Sequence, residues 1–568
     1  KEIIMFQRDT LAVRVLAGTN MFFSGVGAIA EYFTRDPRKL EFAQAYEAEL
    51  RKVLDALGWD DVVLYKRIYS RGFIFAMPTE FDLTFAGCKI FSIVFDRVAA
   101  QFNQEPEPDY AEDIDYLDYV ISRERYIALR EIYDEAKSRS LNLYVDAETL
   151  CIGSGKGAYI TSIDDLDFDK VPWDNIYEIP SVMVTGTNGK TTTVRLTSFI
   201  SRHAGKVVGY CSTDWVMIDG EVVSEGDLSG PNGNRTVMQN PKVDVAVLEV
   251  ARGGIVKRGL ATSNVGGAVV MNVSEDHLGV NGIDSVADLA LAKFTVQQAV
   301  RPGGHNVVNL DDELSHSFID DLPRSKAFFF FFLAESELLN HLKDPEDYAC
   351  FVQDGAFYVY RHGEKQHIAA IDDVDLTYKG LAKHNIENVL AAICLSLELG
   401  RSYAEITAGL LAFKNDENNQ GRFNLFDVKG SKILVDYGHN LASVDNMLKF
   451  ARSIAKPSSK ITVLLGFSGD RKFMIESISS SVMKHQIDYV ILKMFTSHLR
   501  GAVVGELAGL LRENLLKKGF PAENILATVE QETEALDLVL SRLGEDNIYI
   551  MLCQDDAAKV IETIKNYK

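Results

Sequence analysis

Ser181-Val182-Met183-Val184-Thr185-Gly186-Thr187-Asn188-Gly189-Lys190-Thr191-Thr192 is the stretch that decides the fold of this chain. An apolar run comes first, two glycines follow, and a Lys-Thr pair opens a segment of helical character. This order predicts a strand, a phosphate-binding loop and a helix, because free backbone N–H groups, a helix N-terminus and a lysine all favour phosphate oxygens. The alternative is a strand–helix turn that binds no ligand.

The loop contains each group that a nucleoside triphosphate with a metal ion requires. Gly186 and Gly189 let the backbone approach the phosphates, Lys190 bridges them, and the Thr191 hydroxyl reaches Mg²⁺. We therefore predict that ATP and Mg²⁺ bind here. The other loop residues expected to bind the nucleotide are Thr187, Asn188 and Thr192. The general pattern has a glycine where this chain has Val184.

Charge and cysteine usage exclude several classes of protein. The 568 residues include 59 basic and 81 acidic side chains, a net charge of −22, which disfavours binding to nucleic acid or to an anionic membrane. The six cysteines are widely spaced and form no C-x-x-C pair, so we expect reduced thiols in a cytoplasmic protein. No stretch is long and apolar enough to span a membrane.

Alternation of apolar strands with helical segments predicts an α/β protein of three domains. We place an α+β domain at 1–170, a central P-loop α/β domain at 171–417 and a C-terminal Rossmann-like α/β domain at 418–568. The polar stretch 414–420 is the expected linker. Within the first domain, residues 61–65 are predicted as a strand and 116–138 as one helix.

Two polar residues follow buried strands of the predicted central sheet. Glu249 ends the apolar run 243–250, and His277 follows the run 267–273. Ligands of open α/β sheets bind beyond the carboxyl ends of the strands, so both side chains are expected near the phosphate loop. Each has another explanation, Glu249 as a helix-capping carboxylate and His277 as a turn residue. Behind a phosphate loop, they favour a Mg²⁺ site shared with Thr191.

Three motifs carry a resemblance to a known family. The loop Thr-Gly-Thr-Asn-Gly-Lys-Thr-Thr-Thr at 185–193, Glu-Val-Ala-Arg-Gly-Gly at 249–254 and Asn-Val-Ser-Glu-Asp-His-Leu-Gly at 272–279 resemble those of the Mur ligase superfamily. The last two are most similar to the Mur-like domain of cyanophycin synthetase. The resemblance extends over roughly 180–568 and implies that Glu249 and His277 ligate Mg²⁺.

The resemblance implies roles for further residues of the central domain. Lys293 corresponds to a lysine that many members carbamylate, whereas an exposed helical lysine is the alternative. His384, Asn385 and Asn388 lie where members contact adenine, although Asn385 also suits an ordinary helix N-cap.

C-terminal motifs at 421–424, 436–440 and 466–471 also resemble the superfamily. The resemblance implies that Arg422 and Asp436 contact the nucleotide when the C-terminal domain closes, and that Arg471 lies at the active cleft between domains. His439 is a further candidate, although Gly438 and Leu441 replace the family's Ala and Pro. Arg500 is either a clamp for a substrate carboxylate or a surface arginine.

The resemblance implies an ADP-forming ligase that joins an amino acid or other amine to a small-molecule or peptide carboxylate through an acyl phosphate. We expect one ligation site, because the first 170 residues leave no room for an ATP-grasp domain. The alternatives are a folylpolyglutamate-type ligase, a non-ligating nucleotide-binding regulatory subunit and a P-loop ATP hydrolase or phosphotransferase. We expect no nucleic acid or membrane partner, while a homo-oligomer and the identity of both substrates stay open.

Overall fold

The computed structural model of the chain describes residues 6–276, 278–331, 338–496, 499 and 502–567. The chain forms two units. The first comprises Lys1–Val352, Tyr358–His367 and Leu390–Ile406, and the second comprises Gln353–Phe357, Ile368–Val389 and Thr407–Lys568. The mixed α/β class is as predicted, while the proposed boundaries at 170 and 417 stay predictions.

The first unit begins with a four-stranded antiparallel sheet in the order β1-β2-β4-β3. Its strands are Leu11–Leu16 (β1), Gly27–Phe33 (β2), Tyr65–Tyr69 (β3) and Gly72–Pro78 (β4). The helices of this region are Lys39–Ala56 (α1), Thr84–Asn103 (α2), Tyr110–Glu124 (α3) and Ile127–Ser138 (α4). Buried aromatic side chains of α1, α2 and β4 pack together and form its core.

Two predictions for this region are wrong. Residues 61–64 are not in a strand, because β3 pairs with β4 in a hairpin that runs from Tyr65↔Ala76 to Tyr69↔Gly72 and leaves out the preceding apolar residues. The predicted single helix at 116–138 is broken between α3 and α4, where the backbone N–H of Tyr126 donates to the Asp82 carboxylate at 3.0 Å. Tertiary pairing thus overrides the local pattern at both places.

A small antiparallel sheet connects this region to the central sheet, with strands Leu143–Val145 (β5), Thr149–Ile152 (β6) and Tyr159–Ser162 (β7). The first nine strands of the eleven-stranded central sheet then have the order β11-β10-β9-β12-β8-β13-β14-β15-β16. Its strands are Ser181–Thr185 (β8), Val208–Cys211 (β9), Trp215–Ile218 (β10), Glu221–Glu225 (β11), Val245–Glu249 (β12), Val265–Val270 (β13), Val300–Asn309 (β14), Ser325–Phe330 (β15) and Tyr348–Gln353 (β16).

Strand β8 lies between β12 and β13, and both pair with it in parallel. All five residues of β12 are buried, as a near-continuous apolar run predicts for a central parallel strand. The carboxyl ends of the three strands therefore meet at one edge of the sheet. The associated helices are Lys190–His203 (α5), Pro231–Met238 (α6), Arg252–Arg258 (α7), Val286–Phe294 (α8) and Glu313–His316 (α9). Phe328, Phe329 and Phe330 of β15 are fully buried.

Each of the next four elements has residues in both units. They are Ala356–Arg361 (β17), Glu364–Ala370 (β18), Lys383–Glu398 (α10) and Tyr403–Ala412 (α11). The second unit has a six-stranded sheet in the order β19-β20-β24-β21-β22-β23. Its strands are Asn424–Val428 (β19), Ser431–Asp436 (β20), Ile461–Leu465 (β21), Tyr489–Lys493 (β22), Ile525–Val529 (β23) and Ile548–Leu552 (β24). Its remaining helices are Asn415–Asn418 (α12), Leu441–Ile454 (α13), Ile475–Lys484 (α14), Glu506–Lys517 (α15), Glu532–Leu540 (α16) and Ala557–Asn566 (α17).

This second sheet is parallel from β20 to β23, with β19 added antiparallel to β20, so it is the predicted Rossmann-like arrangement. The stretch 414–420 is not a loose linker. Asn415 and Asn419 are buried, and the Asn415 amide donates to the carbonyl oxygen of Phe423 at 2.7 Å. The polar composition of this stretch therefore reflects asparagine side chains that form buried hydrogen bonds.

Candidate functional site

The phosphate loop joins the carboxyl end of β8 to the first residue of α5. Gly186 has φ of 154° and Gly189 has φ of 85°, which L side chains rarely adopt. A Cβ on Gly186 would also lie 2.7 Å from that of Met271. The Lys190 ammonium group donates to the carbonyl oxygens of Gly186 and Thr187, both at 3.1 Å. The backbone of the loop therefore curves around the Lys190 ammonium group.

The segment after β13 fixes the middle of this loop. The backbone N–H of Asn188 donates to the Asn272 side-chain oxygen, and that of Thr187 to the Asn272 carbonyl, both at 2.9 Å. The Thr187 hydroxyl donates to the Ser274 carbonyl at 3.2 Å. Thr192 is buried in the first turn of α5. The predicted loop residues thus form one rigid element, while their contacts with nucleotide stay predictions.

Glu249 ends β12 next to this loop, as the strand order predicts. Its side chain is fully buried, and each carboxylate oxygen accepts a hydrogen bond from a threonine. Thr191 Oγ1 is 2.9 Å from Glu249 Oε2, and Thr213 Oγ1 is 2.8 Å from Glu249 Oε1. A helix-capping role does not account for this arrangement, because the carboxylate is held by two hydroxyls.

The donor chemistry of this group fits Mg²⁺, which prefers hard oxygen ligands and usually takes one or two carboxylates with substrate phosphates. The Thr191 hydroxyl and the buried Glu249 carboxylate lie beside the predicted phosphate loop. Within the described ranges, no three His, Cys, Asp or Glu side chains form a cluster that could hold a metal ion by themselves. The third predicted ligand, His277, lies outside the described residues.

Lys293 lies in the last turn of α8 and is 3% exposed. Its ammonium group donates to the Gly186 carbonyl oxygen at 2.7 Å, so it contacts the phosphate loop directly. Burial, and then the nearby charge of Lys190, lower the pKa of Lys293 well below its usual value. The alternative of an exposed helical lysine is thus excluded, whereas carbamylation stays a prediction.

In the second unit, three predicted residues gather around Phe423. The ring of His384 lies 4.5 Å from that of Phe423, and the backbone N–H of Phe423 donates to the Asp436 carboxylate at 2.8 Å. Burial lowers the pKa of His384 to about 4. Burial also raises the pKa of Asp436, against the hydrogen bond from Gly438 and the charge of Arg422. His384, Arg422 and Asp436 therefore belong to one group.

The remaining predicted residues of the second unit are held by local contacts. The Asn385 amide donates to the Leu376 carbonyl and accepts from the Asn388 amide, both at 2.9 Å. These bonds order the start of α10. The Arg422 guanidinium lies 4.6 Å from the Tyr437 ring centroid, and the His439 ring 5.0 Å from it. Arg471 is 7% exposed. Arg500 lies outside the described residues.

Two residues of these groups were not predicted from the sequence. Thr213 bonds Glu249 from the loop after β9, the strand that pairs with β12 in parallel. Gln554 follows β24, and its amide donates to the carbonyl oxygens of Gly438 and Gly466 at 3.1 and 3.2 Å. It therefore ties together two of the C-terminal motifs. Each is a polar residue just beyond the carboxyl end of a buried strand, the signal that identified Glu249.

Within the described part of the chain, no helix is long and apolar enough to cross a membrane. All six cysteines are free, as predicted. A parallel sheet, a glycine loop around a lysine and a buried carboxylate on the next strand define an α/β protein of the P-loop class.

Comparison with known proteins identifies a family within this class. Residues 184–396 match the Mur ligase middle domain, and residues 421–553 match the Mur ligase glutamate ligase domain. The chain therefore contains the middle domain and the glutamate ligase domain of the Mur ligase family. Both matched stretches agree with the resemblance inferred from the motifs.

Among curated relatives, cyanophycin synthetase of Geminocystis herdmanii is 32% identical over 68% of this chain and 44% of its own length. Cyanophycin synthetase of Nostoc is 33% identical over 68% of this chain and 42% of its own length. The chain thus spans less than half of these relatives. Among solved structures, E. coli FolC in complex with DHPP and ADP has a TM-score of 0.48 at 16% identity, covering 68% of this chain and 88% of FolC.

Proposed function

We propose that the chain is an ATP-dependent ligase that forms an amide bond between a carboxylate acceptor and an amine, with release of ADP and phosphate. The observation that carries the proposal is the Thr191–Glu249–Thr213 group, a buried carboxylate held by two hydroxyls beside the phosphate loop. The curated relatives support the reaction class, since they include cyanophycin synthetases and a UDP-N-acetylmuramoyl-L-alanyl-D-glutamate--2,6-diaminopimelate ligase of Syntrophomonas wolfei.

The proposed reaction has two steps. An acceptor carboxylate oxygen attacks the γ-phosphorus of ATP, the bond to the β-phosphate oxygen breaks, and an acyl phosphate and ADP form. The amine nitrogen then attacks the acyl carbon, the carbon–oxygen bond to phosphate breaks, and the amine loses a proton. Both steps depend on placement and charge neutralisation more than on covalent help from the protein.

The residues of the first unit then have separate tasks. Lys190 leaves its two loop carbonyls and neutralises phosphate oxygens, while the backbone N–H groups of the loop bind the rest of the triphosphate. Thr191 and Glu249, with His277, would hold Mg²⁺, which supplies charge neutralisation at the phosphates when bound. We also propose that Lys293 carries a carbamate in the active enzyme, because burial and the charge of Lys190 lower its pKa and so favour the neutral amine, the form that reacts with CO₂.

Residues of the second unit complete the proposal. Arg422, Asp436, His439 and Arg471 act on the nucleotide, and His384, Asn385 and Asn388 on its adenine. The substrates we favour are an acidic acceptor and an amino acid such as arginine, after the cyanophycin-type motif at 249–254. A folylpolyglutamate-type ligase is the nearest alternative.

The test is phosphate release from Mg·ATP across a panel of amino acids and β-aspartyl or glutamyl peptides. Lys190→Ala should abolish release, and Lys257→Ala, which removes an exposed lysine from α7, should not change it. Release that requires both an acceptor and an amine, with ADP and a mass-detected adduct, would establish ligation. Release indifferent to every amine would instead indicate a hydrolase, and tight nucleotide binding without release a regulatory subunit.

A further inference from the structure

The amino-terminal sheet contacts the segment 278–285, which leads from position 277 to helix α8. This segment turns sharply, with positive φ at Gly279 (78°), Asn281 (54°) and Gly282 (75°). It has a short internal ladder, in which Gly279 N–H donates to the Ile283 carbonyl at 2.6 Å and Ile283 N–H to the Val280 carbonyl at 3.2 Å. A non-glycine residue in the left-handed region persists where its surroundings hold it, so the partners of Asn281 matter.

Asn281 is held by a buried carboxylate of the amino-terminal sheet. Glu31 lies on strand β2 and is fully buried. Its carboxylate accepts from the Asn281 amide at 3.0 Å, from Arg14 at 2.8 Å and from the Tyr69 hydroxyl at 3.1 Å. A buried charge on a central strand is costly unless it is paired and hydrogen-bonded. Here its bonds reach across 250 residues of sequence to one turn.

The hairpin between β3 and β4 holds the rest of the segment. Arg67 donates through Nε to the Gly282 carbonyl oxygen at 2.6 Å and forms an ion pair with Asp288. Ser70 donates to the Asp284 carboxylate through its backbone N–H at 2.6 Å and through its hydroxyl at 2.7 Å. The sheet therefore fixes both the turn and the residues just before α8.

The contact with Asp288 extends this support to the phosphate loop. Asp288 lies in the first turn of α8, where it forms a capping box with Ser285. Burial disfavours the ionised form of Asp288, but hydrogen bonds from Arg67 and Ser285 outweigh it and lower the pKa. Lys293 lies in the last turn of the same short helix and donates to the Gly186 carbonyl oxygen at 2.7 Å. One rigid helix thus separates the Arg67 contact from the phosphate loop.

We propose that the amino-terminal sheet positions the metal-bearing edge of the nucleotide site, with Arg67 and Glu31 as positioning residues. The inference rests on the proposed function and assigns a role to residues 6–78. The sheet sets the placement of α8, and hence of Lys293, and it anchors the segment that begins next to position 277. Misplacing reacting groups by about 1 Å can reduce the catalytic rate by about 100-fold, so the support from this sheet should affect turnover.

The experiment compares Arg67→Ala with Lys66→Ala. Lys66 is the adjacent residue of β3, and its ammonium group pairs with Glu47 at 2.5 Å, away from the segment. The readouts are amide hydrogen exchange in peptides covering 278–292, the affinity for a fluorescent ATP analogue with and without Mg²⁺, turnover at saturating ATP, and Tm. Ser70→Ala, which removes one of two bonds to Asp284, is the second variant should Arg67→Ala not fold.

For Arg67→Ala we expect exchange in 278–292 to rise by at least tenfold and Mg²⁺-dependent nucleotide binding to weaken by about tenfold. Turnover should fall by at least tenfold, with Tm close to that of Lys66→Ala. Arg67→Lys, which keeps a charge near Asp288, should recover part of the loss. Exchange equal to that of Lys66→Ala would overturn the proposal, and so would faster exchange with unchanged Mg²⁺-dependent binding. If the wild type binds Mg·ATP but ligates nothing, the proposed function fails, and exchange and binding still decide the positioning role.

Discussion

Thr213→Val tests whether the buried carboxylate of Glu249 serves a metal ion. The substitution keeps the volume of the side chain and removes the hydroxyl that lies 2.8 Å from Glu249 Oε1. A hydrogen bond to a charged group contributes about 1.5–3 kcal/mol. Since about 1.4 kcal/mol corresponds to a factor of ten in an equilibrium constant, the loss amounts to a factor of about 10–150.

The loss should appear in the affinity for Mg²⁺, because the hydroxyl orients the carboxylate from outside the metal's own shell. Removing such a partner typically weakens metal binding by about 10- to 100-fold. The assay is a Mg²⁺ titration at fixed nucleotide, read first by binding of a fluorescent ATP analogue and then by phosphate release. We expect the half-saturating Mg²⁺ concentration to rise by at least tenfold.

Two variants control this experiment. Thr236→Val removes an exposed hydroxyl that donates to the Asn232 carbonyl at 3.0 Å, and it should leave the titration unchanged. Thr213→Ser keeps the hydroxyl and should restore Mg²⁺ affinity to nearly the wild-type value. A folded Thr213→Val protein whose Mg²⁺ half-saturation stays within twofold of wild type would refute the reasoning, because Glu249 would then serve the fold.

Three further predictions concern single residues. If Lys293 is carbamylated, removing CO₂ should lower activity reversibly, and ¹³C-labelled bicarbonate should give a carbamate carbon signal that is absent from Lys293→Arg. The pKa of His384, about 4, lies below its unfolded value, so the unfolded state binds more protons between about pH 4 and 6.5. The free energy of unfolding should therefore fall as pH is lowered through this window. It should fall less steeply with pH in His384→Gln. Denaturant titrations that give the two proteins the same pH dependence of this free energy would contradict the prediction. Phe328→Ala should reduce the free energy of unfolding by about 3–5 kcal/mol, against little change for the exposed Phe85→Ala.

The nucleotide loop and the C-terminal sheet could be predicted because their signals are local. A phosphate loop needs glycine, lysine and a hydroxyl within a few residues, and the buried strands of a parallel sheet show as apolar runs. Glu249 was found by the same rule, since the carboxyl end of a strand is visible in sequence. Its partner Thr213 follows β9 in the same way, but the pairing of β9 with β12, which brings Thr213 to Glu249, depends on strand order.

The secondary-structure and linker predictions that were wrong failed because contacts within the folded chain override local sequence patterns. Residues 61–64 are apolar enough for a strand, yet the β3–β4 hairpin leaves them out, and a hydrogen bond to Asp82 breaks the predicted helix at Tyr126. Asn415 and Asn419 lie in a stretch that has the composition of a linker, yet both side chains are buried. In each case contacts within the folded chain decide the outcome, and the composition of a short window does not specify those contacts.

In the amino-terminal sheet, contacts between residues distant in sequence bear on the proposed function. Its residues contain no motif, and the sequence predicted no role for them. Yet Glu31, Arg67 and Ser70 each bond the segment 278–285, in the same unit as the phosphate loop. A catalytic motif specifies which groups are present, whereas their placement within a fraction of an ångström requires rigid neighbours. Sequence motifs therefore predict where the chemistry of this protein lies, and strands β2–β4 supply the support that we propose for its metal site.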